Sequence, residues 1–544
     1  MCRKRRPKFD LKLLQTVLLI ALCLDNIRLR LHDCHCNKSS SSSSVPVRIV
    51  EKNRLKRLYA SNRRLKQEVA NCNIKTEVLE RKCLPFSVDN NACPFGRVHV
   101  VLWRVQRNVE QLWNFLRHKL KEFSYVITYT RGWYQETVTD LSNLFEVLLE
   151  WKKQEANRLS QVVQNRFQLL QNPGDCSQAR RLICDVTKAC GLGCQMHHLV
   201  FCFMVAYRDN RTVIVDSYKW QYAPYRGSWE TVFQPISNSI SCRTFSSIDM
   251  KWWEKEDSDD LLVKLPVAES LDKQPPFIPL AVPKDLAAHI SCFHTQPSLW
   301  WIGQIVSFLL RPSVDMQQVI DEFAKSIGFS KPIVGVHVRR TDKVGWESEL
   351  HSLNQYMEVV ESYYELLEKR QQISKRSIYL ATDDDLVITE MKHRYPGYNI
   401  LSNKEGAVAA RQQRYSQTSL NGIITDILLL SQTDYLVCTF SSQVCRLAYE
   451  LMQSYHPDAS QNAHSLDEMY YFGGQRPRLQ RAIARHTPAD ESELELIVGD
   501  LISVRDNKHG FFLGMSMRTN KYGRYPPYKV EDIVDEVKCP TFVH

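Results

Sequence analysis

Apolar residues recur every three or four positions from Leu102 through Val105, Val109, Leu112, Leu116, Leu120 and Phe123, and again at Val138, Leu141, Phe145 and Leu148. Such spacing lines one face of an α-helix with a near-heptad seam. Residues 98–172 are therefore read as a helical coiled-coil region, able to pair with a second copy or to pack on the chain's own body. From Ile333 the period changes. The strand-like runs IVGVHV, IYLATD and DYLVCTF, with a shorter YNILS between the second and third, are separated by helical stretches. One such stretch is 356–371, where Tyr356, Val359, Val360, Tyr363, Leu366 and Leu367 share a face. Strand and helix in repetition predict a right-handed parallel sheet of Rossmann type over 331–487. Beyond Pro488 the texture is all-β, with ELIVGDLISV, HGFFLGMSM and YGRYPPYKV punctuated by glycine, which predicts a small SH3-like barrel over 488–544. Phe511 and Phe512 stand where the Trp of a proline-peptide groove is expected, which argues against PxxP ligands.

The N-terminal hydropathy adds a compartment. MCRKRRPK precedes the apolar run LKLLQTVLLIALCL at 11–24. Basic residues before a short apolar run suit an uncleaved signal anchor, a cleaved secretory signal or a buried helix. No A-x-A-like cleavage site follows, and although the run is shorter than the ~20 residues of a bilayer core, flanking cations can snorkel. The anchor reading places 1–10 in the cytoplasm, 11–24 in the membrane and the remainder on the luminal or extracellular side. Residues 25–97 then form a stem or linker containing the six-serine run Ser39–Ser44.

At 544 residues the chain exceeds one core and should divide into two to four domains. Its net charge of +11 would invite nucleic acid, but the excess is local: 1–82 carry 20 Lys and Arg against 7 Asp and Glu, and the rest carry 51 against 53. A balanced body argues against a nucleic-acid-binding domain. Five of 17 cysteines crowd into 176–202, at Cys176, Cys184, Cys190, Cys194 and Cys202, with Cys242 downstream. In a translocated chain this reads as a disulfide framework. A zinc site is the rival, because CGLGC is followed by His197 and His198, although metal sites favour tighter C-x2-C spacing. Asn37-Lys-Ser and Asn210-Arg-Thr fit the glycosylation sequon.

The chemistry concentrates after the strands. VGVHVRRTDKVGWE starts as a buried strand and ends in two arginines, an Asp, a Lys and a Glu. In an open α/β sheet the ligand crevice lies outside the carboxyl ends of the strands, so the tails RRTDK, DDD and SSQ should line one cleft. Adjacent guanidiniums suit a diphosphate, since each can donate a fork of bonds to phosphate oxygens; the alternative is an ion-pair cluster of Arg339 or Arg340 with Asp342. Strand neighbours point to opposite faces, so both arginines reach one phosphate only if the chain turns after Arg339. His337, between two valines, is either a satisfied interior residue or a contact to a base. Neither G-x-G-x-x-G nor G-x-x-x-x-G-K-[ST] occurs at the strands, which weakens dinucleotide oxidoreductase and P-loop kinase readings. Asp383-Asp384-Asp385 contains a D-x-D that could hold a divalent cation, or it could cap the following helix. With cations supplied by RRTDK, metal-independent chemistry and no cofactor are expected.

HVRRTDKVG, YLATDD, LVCTFSSQVCRLAYE, HPDAS and YYFGGQ, with the cysteine cluster and the terminal barrel, resemble the eukaryotic α-1,6-fucosyltransferases that add core fucose to N-glycans. The resemblance runs from about Cys83 to the C-terminus. It implies an α/β, GT-B-like catalytic region, with 173–330 as a disulfide-rich first part and 331–487 as the GDP-fucose-binding domain, after a coiled-coil stem and before an SH3 barrel. It also implies a Golgi type II membrane protein, a homodimer through its stem, transferring fucose from GDP-fucose with inversion to O6 of the innermost GlcNAc. By that resemblance His337 and Asp426 contact guanine, Tyr222 lies near the nucleotide, and Arg339, Ser442 and Gln443 hold the diphosphate with support from Arg340. Glu347 matches the catalytic base, oriented by Lys343, and Asp383 and Asp384 belong to the pocket. The implied disulfides are Cys176 with Cys242, Cys184 with Cys202, Cys190 with Cys194 and Cys438 with Cys445. The chain departs from the pattern at Trp346 beside the base, at Asp385 in place of a Pro, and in the short barrel loop DNKHG. A sulfotransferase would need a phosphosulfate loop after an early strand, which the sequence lacks. A non-catalytic adhesion protein would leave RRTDKVGWE without a purpose.

Overall fold

The computed structural model describes residues 109–542, apart from 111–112, 114–116, 118–123, 224–228, 247–249, 255–257, 268–270, 272–274, 276–279, 341–349, 474, 476 and 509–510. The expected anchor, the serine run, Asn37 and most of the first helical stripe lie outside the described residues. No described helix is long and apolar enough to cross a membrane.

Helix α1 (Ser124–Gln171) is continuous. Leu159, Val163, Phe167 and Leu170 recur at helical spacing and are all buried, so this part of α1 packs on the chain's own body. The rings of Phe203, Tyr207, Trp301 and Phe308 stand 5.0–5.5 Å from that of Phe167. Edge-on aromatic packing of this kind adds to simple area burial.

The first parallel unit contains β1 (Arg181–Asp185), α2 (Leu192–Arg208), β2 (Thr212–Asp216), β3 (Lys251–Trp252) and β4 (Leu262–Lys264). Its strands lie in the order β2-β1-β4-β3 and every pair is parallel. Disulfides brace it: Cys184–Cys202 joins β1 to α2, Cys190–Cys194 closes the turn before α2, and Cys176–Cys242 ties the segment after α1 to the helical turn Ile240–Arg243. Cys190 and Cys194 are thus bonded to each other, where the zinc alternative would have made them metal ligands. The chain leaves this unit through β5 (Val282–Pro283), α3 (Lys284–Phe293), α4 (Pro297–Leu309) and α5 (Val314–Ser326).

The second unit alternates strand and helix as the periodicity predicts: β6 (Ile333–Val338), α6 (Leu353–Glu368), β7 (Ser377–Thr382), α7 (Asp385–Arg394) and β8 (Asn399–Ser402). It continues through α8 (Lys404–Gln412), α9 (Gln417–Gln432), β9 (Tyr435–Cys438), α10 (Gln443–Tyr455) and β10 (Ala463–Ser465). The order β10-β9-β6-β7-β8 is parallel throughout. Along β6 the residues alternate between faces. Val334, Val336 and Val338 join a core with Val360 and Tyr364 of α6 and Met391 of α7, while Ile333 joins the larger core that contains α9 and α10. That larger core also takes in α2 and α4, so the two parallel units share one apolar interior.

A third, all-antiparallel sheet follows, made of β11 (Leu479–Ala482), β12 (Leu501–Lys508), β13 (Phe511–Ser516), β14 (Tyr522–Tyr525) and β15 (Val530–Asp532) in the order β14-β13-β12-β11-β15. Its core is Ala482, Leu494, Leu496, Ile502, Phe512, Tyr525 and Val530. The chain then returns, and β16 (Glu536–Val537) pairs with β5.

Helix α10 is closely approached by α4. A Cβ on Gly303 of α4 would lie 2.5 Å from the main-chain oxygen of Glu450 and 3.0 Å from Gln453 Cβ. Alanine at a helical glycine gains about 1 kcal/mol of propensity, but the obstacle is backbone and overpacking costs about 1–3 kcal/mol. Gly303→Ala should therefore lower stability, by up to about 2 kcal/mol net of propensity. Urea denaturation checks this, and an unchanged or raised midpoint would show that α4 and α10 can separate.

Candidate active site

In the second sheet the chain runs outward from β6 to β7 and β8, then crosses back to β9 on the other side of β6 and continues outward to β10. Where that direction reverses, the loops at the carboxyl ends of β6 and β9 diverge and open a crevice. Arg339 and Arg340 follow β6 directly, and Thr439 to Ser442 link β9 to α10.

Strand alternation explains which side chains face the crevice. Gly335, His337 and Arg339 have the parity opposite to the three valines. A Cβ on Gly335 would meet the Thr433 hydroxyl oxygen at 2.8 Å and Leu430 Cδ2 at 3.0 Å, which places this face of β6 against the end of α9. Asp383, just after β7, gathers the charged pair. Its Oδ2 lies 3.0 Å from Arg339 Nη1, and its Oδ1 accepts a 2.9 Å bond from the main-chain N–H of Arg340. Asp383 is thus the described carboxylate that holds both residues, one through its side chain and the other through its main chain; Asp342 lies outside the described residues. Arg340 Nε is buried with no hydrogen-bond partner among the described residues.

The rest of the acidic triplet does other work. Asp384 caps α7, its side chain accepting from Leu386 N–H at 3.1 Å. Asp385 pairs with Arg411 at 2.8 Å. Of the three, Asp383 is the carboxylate bonded to the arginine tail.

Beneath the charged tail lie two groups with displaced proton affinities. His337 is buried, and burial pushes its imidazole down to about 4, with Asp383 opposing and Arg339 reinforcing the shift. Its Nδ1 has no hydrogen-bond partner among the described residues. Asp426, on α9, is buried and accepts a 2.6 Å bond from the Tyr379 hydroxyl. Burial pushes its carboxyl up to about 7, and the bond from Tyr379 holds it back.

The opposite wall of the crevice is the start of α10. Ser442 is its N-cap and Gln443 its first residue, so main-chain N–H groups and the positive end of the helix dipole point outward there. The preceding loop is fixed: Asp467 accepts from the N–H groups of Phe440 and Ser441 at 2.8 and 3.4 Å, and Cys438–Cys445 spans the loop. The first parallel unit meets this point. A Cβ on Gly193 of α2 would lie 2.8 Å from Gln443 Cβ and 3.0 Å from its main-chain carbon. Only glycine lets the two helix starts touch, which gives CGLGC a packing role beside its disulfide. Tyr222 sits at the same junction, its hydroxyl accepting from Leu192 N–H at 3.1 Å and its ring edge-on to Tyr415 at 5.1 Å.

His337, Arg339, Arg340 and Asp383 thus come together at β6 and β7, Ser442 and Gln443 face them from α10, Asp426 lies on α9, and Tyr222 reaches in from the first unit. Asp384 is engaged in capping. Lys343, Trp346 and Glu347 lie outside the described residues. Sequence reasoning missed Tyr356, whose hydroxyl bonds the Thr439 side chain and is pushed up by burial to about 12 against the pull of Arg340. It also missed Asp467, and the ring of His197, whose nitrogens lie 2.8 Å from Gln443 Oε1 and 3.1 Å from Glu450.

Residues 25–471 match the family model described as alpha-(1,6)-fucosyltransferase N- and catalytic domains. An alpha-(1,6)-fucosyltransferase of Drosophila melanogaster is 42% identical over 460 residues, covering 81% of this chain and 74% of that protein. Its namesake in Caenorhabditis elegans is 38% identical over 378 residues, covering 68% and 67%. The fucosyltransferase NodZ from Bradyrhizobium overlaps 50% of this chain and 92% of its own at 14% identity with a TM-score of 0.30, too loose a superposition to bear on the assignment. The protein is a glycosyltransferase of the fucosyl-transferring class. It belongs to the alpha-(1,6)-fucosyltransferase family.

The two buried titrating groups oppose each other. His337 at about 4 lies below its unfolded value near 6.5, so the stability it contributes is lost as pH falls from about 6.5 to 4. Asp426 at about 7 lies above its unfolded value near 3.9, so its contribution is lost as pH rises from about 4 to 7. Each is of the order of 3–4 kcal/mol, and across this window the two largely cancel. Asp426→Asn should therefore become steeply less stable in acid than the parent, and His337→Gln should lose stability as pH rises. Urea denaturation between pH 4.5 and 7 measures both slopes; variants that keep the parent's slope would contradict the assignment.

Proposed function

We propose that this enzyme transfers fucose from GDP-fucose, with inversion, to O6 of the Asn-linked GlcNAc of N-glycans. The observation that carries this reading is the convergence of Arg339, Arg340 and the start of α10 at the point where the parallel sheet reverses direction. A nucleoside diphosphate fits there. A guanidinium presents a planar fork to phosphate oxygens, and a helix N-terminus presents N–H groups and a positive dipole end. Arg339, Ser442 and Gln443 then hold the diphosphate and Arg340 supports them, while Asp383 fixes the orientation of the Arg339 guanidinium. His337, kept neutral by burial, and Asp426 face the guanine, whose N–H donors favour the ionised carboxylate. Tyr222 closes the nucleotide side from the first parallel unit.

In the reaction the acceptor O6 forms a bond to the fucose carbon as the bond from that carbon to the β-phosphate oxygen breaks. The electron pair leaves with GDP, and the O6 proton passes to a carboxylate. An acceptor hydroxyl is too weakly acidic to be ionised beforehand, so the base must act as the bond forms. Glu347, further along the same charged tail, takes this role, oriented by Lys343. Asp384 completes the pocket by fixing the start of α7. No cofactor is needed, because fixed cations stabilise the departing diphosphate. The two parallel units constitute a GT-B-like catalytic region and the antiparallel sheet an SH3-like barrel. The N-terminal run anchors the enzyme in the Golgi membrane with this region in the lumen, and the helical stem pairs two copies.

Two measurements test the assignment of roles. Glu347→Gln preserves shape and hydrogen bonding but removes basicity, so GDP affinity should persist while turnover falls by about 10² to 10⁴-fold. Arg339→Lys keeps charge without the fork and should weaken both GDP binding and turnover. Near-native transfer by Glu347→Gln, with transfer abolished at full GDP affinity by Asp383→Asn, would relocate the base to the end of β7. Separately, enzyme treated with EDTA should retain most of its activity; activity restored only by added manganese would bring the Asp383–Asp385 triplet into the catalytic centre.

A further inference from the structure

Gly193 and His197 stand four residues apart on one face of α2, and Gln443 and Glu450 seven apart on one face of α10, so each pair lines a single helical stripe. Because Gly193 lets the two helix starts touch, the His197 ring lies between Gln443 and Glu450. Nδ1 is 2.8 Å from Gln443 Oε1, and Nε2 is 3.1 Å from both carboxylate oxygens of Glu450. Glu450 is wholly buried, His197 is 4% exposed, and the Tyr470 hydroxyl donates to Glu450 Oε1 at 2.8 Å. Phe472 closes the ring edge-on at 5.1 Å. Nothing in the reaction uses this buried carboxylate and imidazole directly.

We propose that His197 and Glu450 are positioning residues that set which end of the Gln443 amide faces the donor diphosphate. An amide side chain has an accepting end and a donating end. Oxygen atoms stand at both ring nitrogens, so in this arrangement the ring carries an N–H at each, and the Nδ1–H donated to Oε1 commits the accepting end of the amide toward His197 and its NH2 group away from the ring. Reversed, the amide would present its oxygen to the phosphates, and two acceptors would repel. Glu450 prevents the reversal because its buried carboxylate accepts the Nε2–H and favours the ring with an N–H on both nitrogens, so that Nδ1 donates to Gln443 and cannot accept from its NH2 group. The first helix of one unit thereby determines hydrogen bonding at the anion site of the other.

This inference rests on the diphosphate reading of Gln443, and binding of GDP to the full chain separates the two. Gln443→Ala should weaken GDP about ten- to a hundredfold, the usual effect of losing a hydrogen bond to a charged group. His197→Phe, which keeps a ring against Phe472, should weaken it by a similar factor, and the double variant should be no worse than Gln443→Ala alone. The Michaelis constant for the glycan acceptor should stay unchanged in all three. If His197→Phe does not fold because Glu450 is left buried and unpaired, His197→Phe with Glu450→Gln carries the same test, since the amide oxygen introduced by the second change can still accept from Tyr470. Gln443→Ala binding GDP like the parent would remove the underlying reading. Gln443→Ala weakened with His197→Phe unchanged, or the two losses adding, would overturn the positioning role alone.

Discussion

The close approach of α10 to α2 and α4 is the constraint on which the rest of the structure depends. Gly193 and Gly303 occupy the two contacts where a Cβ would strike the backbone or the first side-chain atom of α10. A helix gripped on both flanks cannot slide, so its N-terminus stays aimed at the crevice and its side chains keep their register with α2. Interiors this dense transmit small displacements. The same grip merges the two parallel units into one apolar interior, so the crevice is held by both.

Electrostatics complete what packing begins. Asp383 binds the guanidinium of Arg339 and the main chain of Arg340 at once, which turns a strand end into a fixed cationic corner. An arginine held in this way loses less freedom on meeting an anion. Below it, His337 and Asp426 are displaced in opposite directions by the same cause, burial, and each favours its neutral form. On the proposed placement, a nucleotide base bonded to Asp426 would offset that carboxylate's desolvation.

Much of the second unit was legible in the sequence. IVGVHV, IYLATD, YNILS and DYLVC became β6, β7, β8 and β9 because continuous apolar runs bounded by charge mark buried parallel strands. The helix expected from Tyr356 begins at Leu353, where Ser352 and Gln355 form a capping box that the sequence displays as S-x-x-Q. The first parallel sheet was not legible, because its strands run five residues or fewer and two of them fall in loop-like sequence. The arginine tail and the SSQ turn were legible as neighbours at one sheet edge from their place after strands. His197 was not: CGLGC followed by two histidines suggests a metal site, and only the contact of α2 with α10 reveals Gln443 and Glu450 as its partners. Of the acidic triplet, both readings were open in sequence, and the fold assigns Asp384 to the helix cap and Asp383 to the arginines.

A crystal structure with GDP bound would show whether the donor diphosphate sits, as proposed, where the second sheet reverses direction. Phosphate oxygens are then expected within about 3 Å of the Arg339 guanidinium and of N–H groups in the first turn of α10, with guanine against His337 and Asp426. A diphosphate bound instead at the carboxyl edge of the first sheet, where Lys264 bridges Asp185 and Asp216 at 3.1 Å each, would contradict that placement.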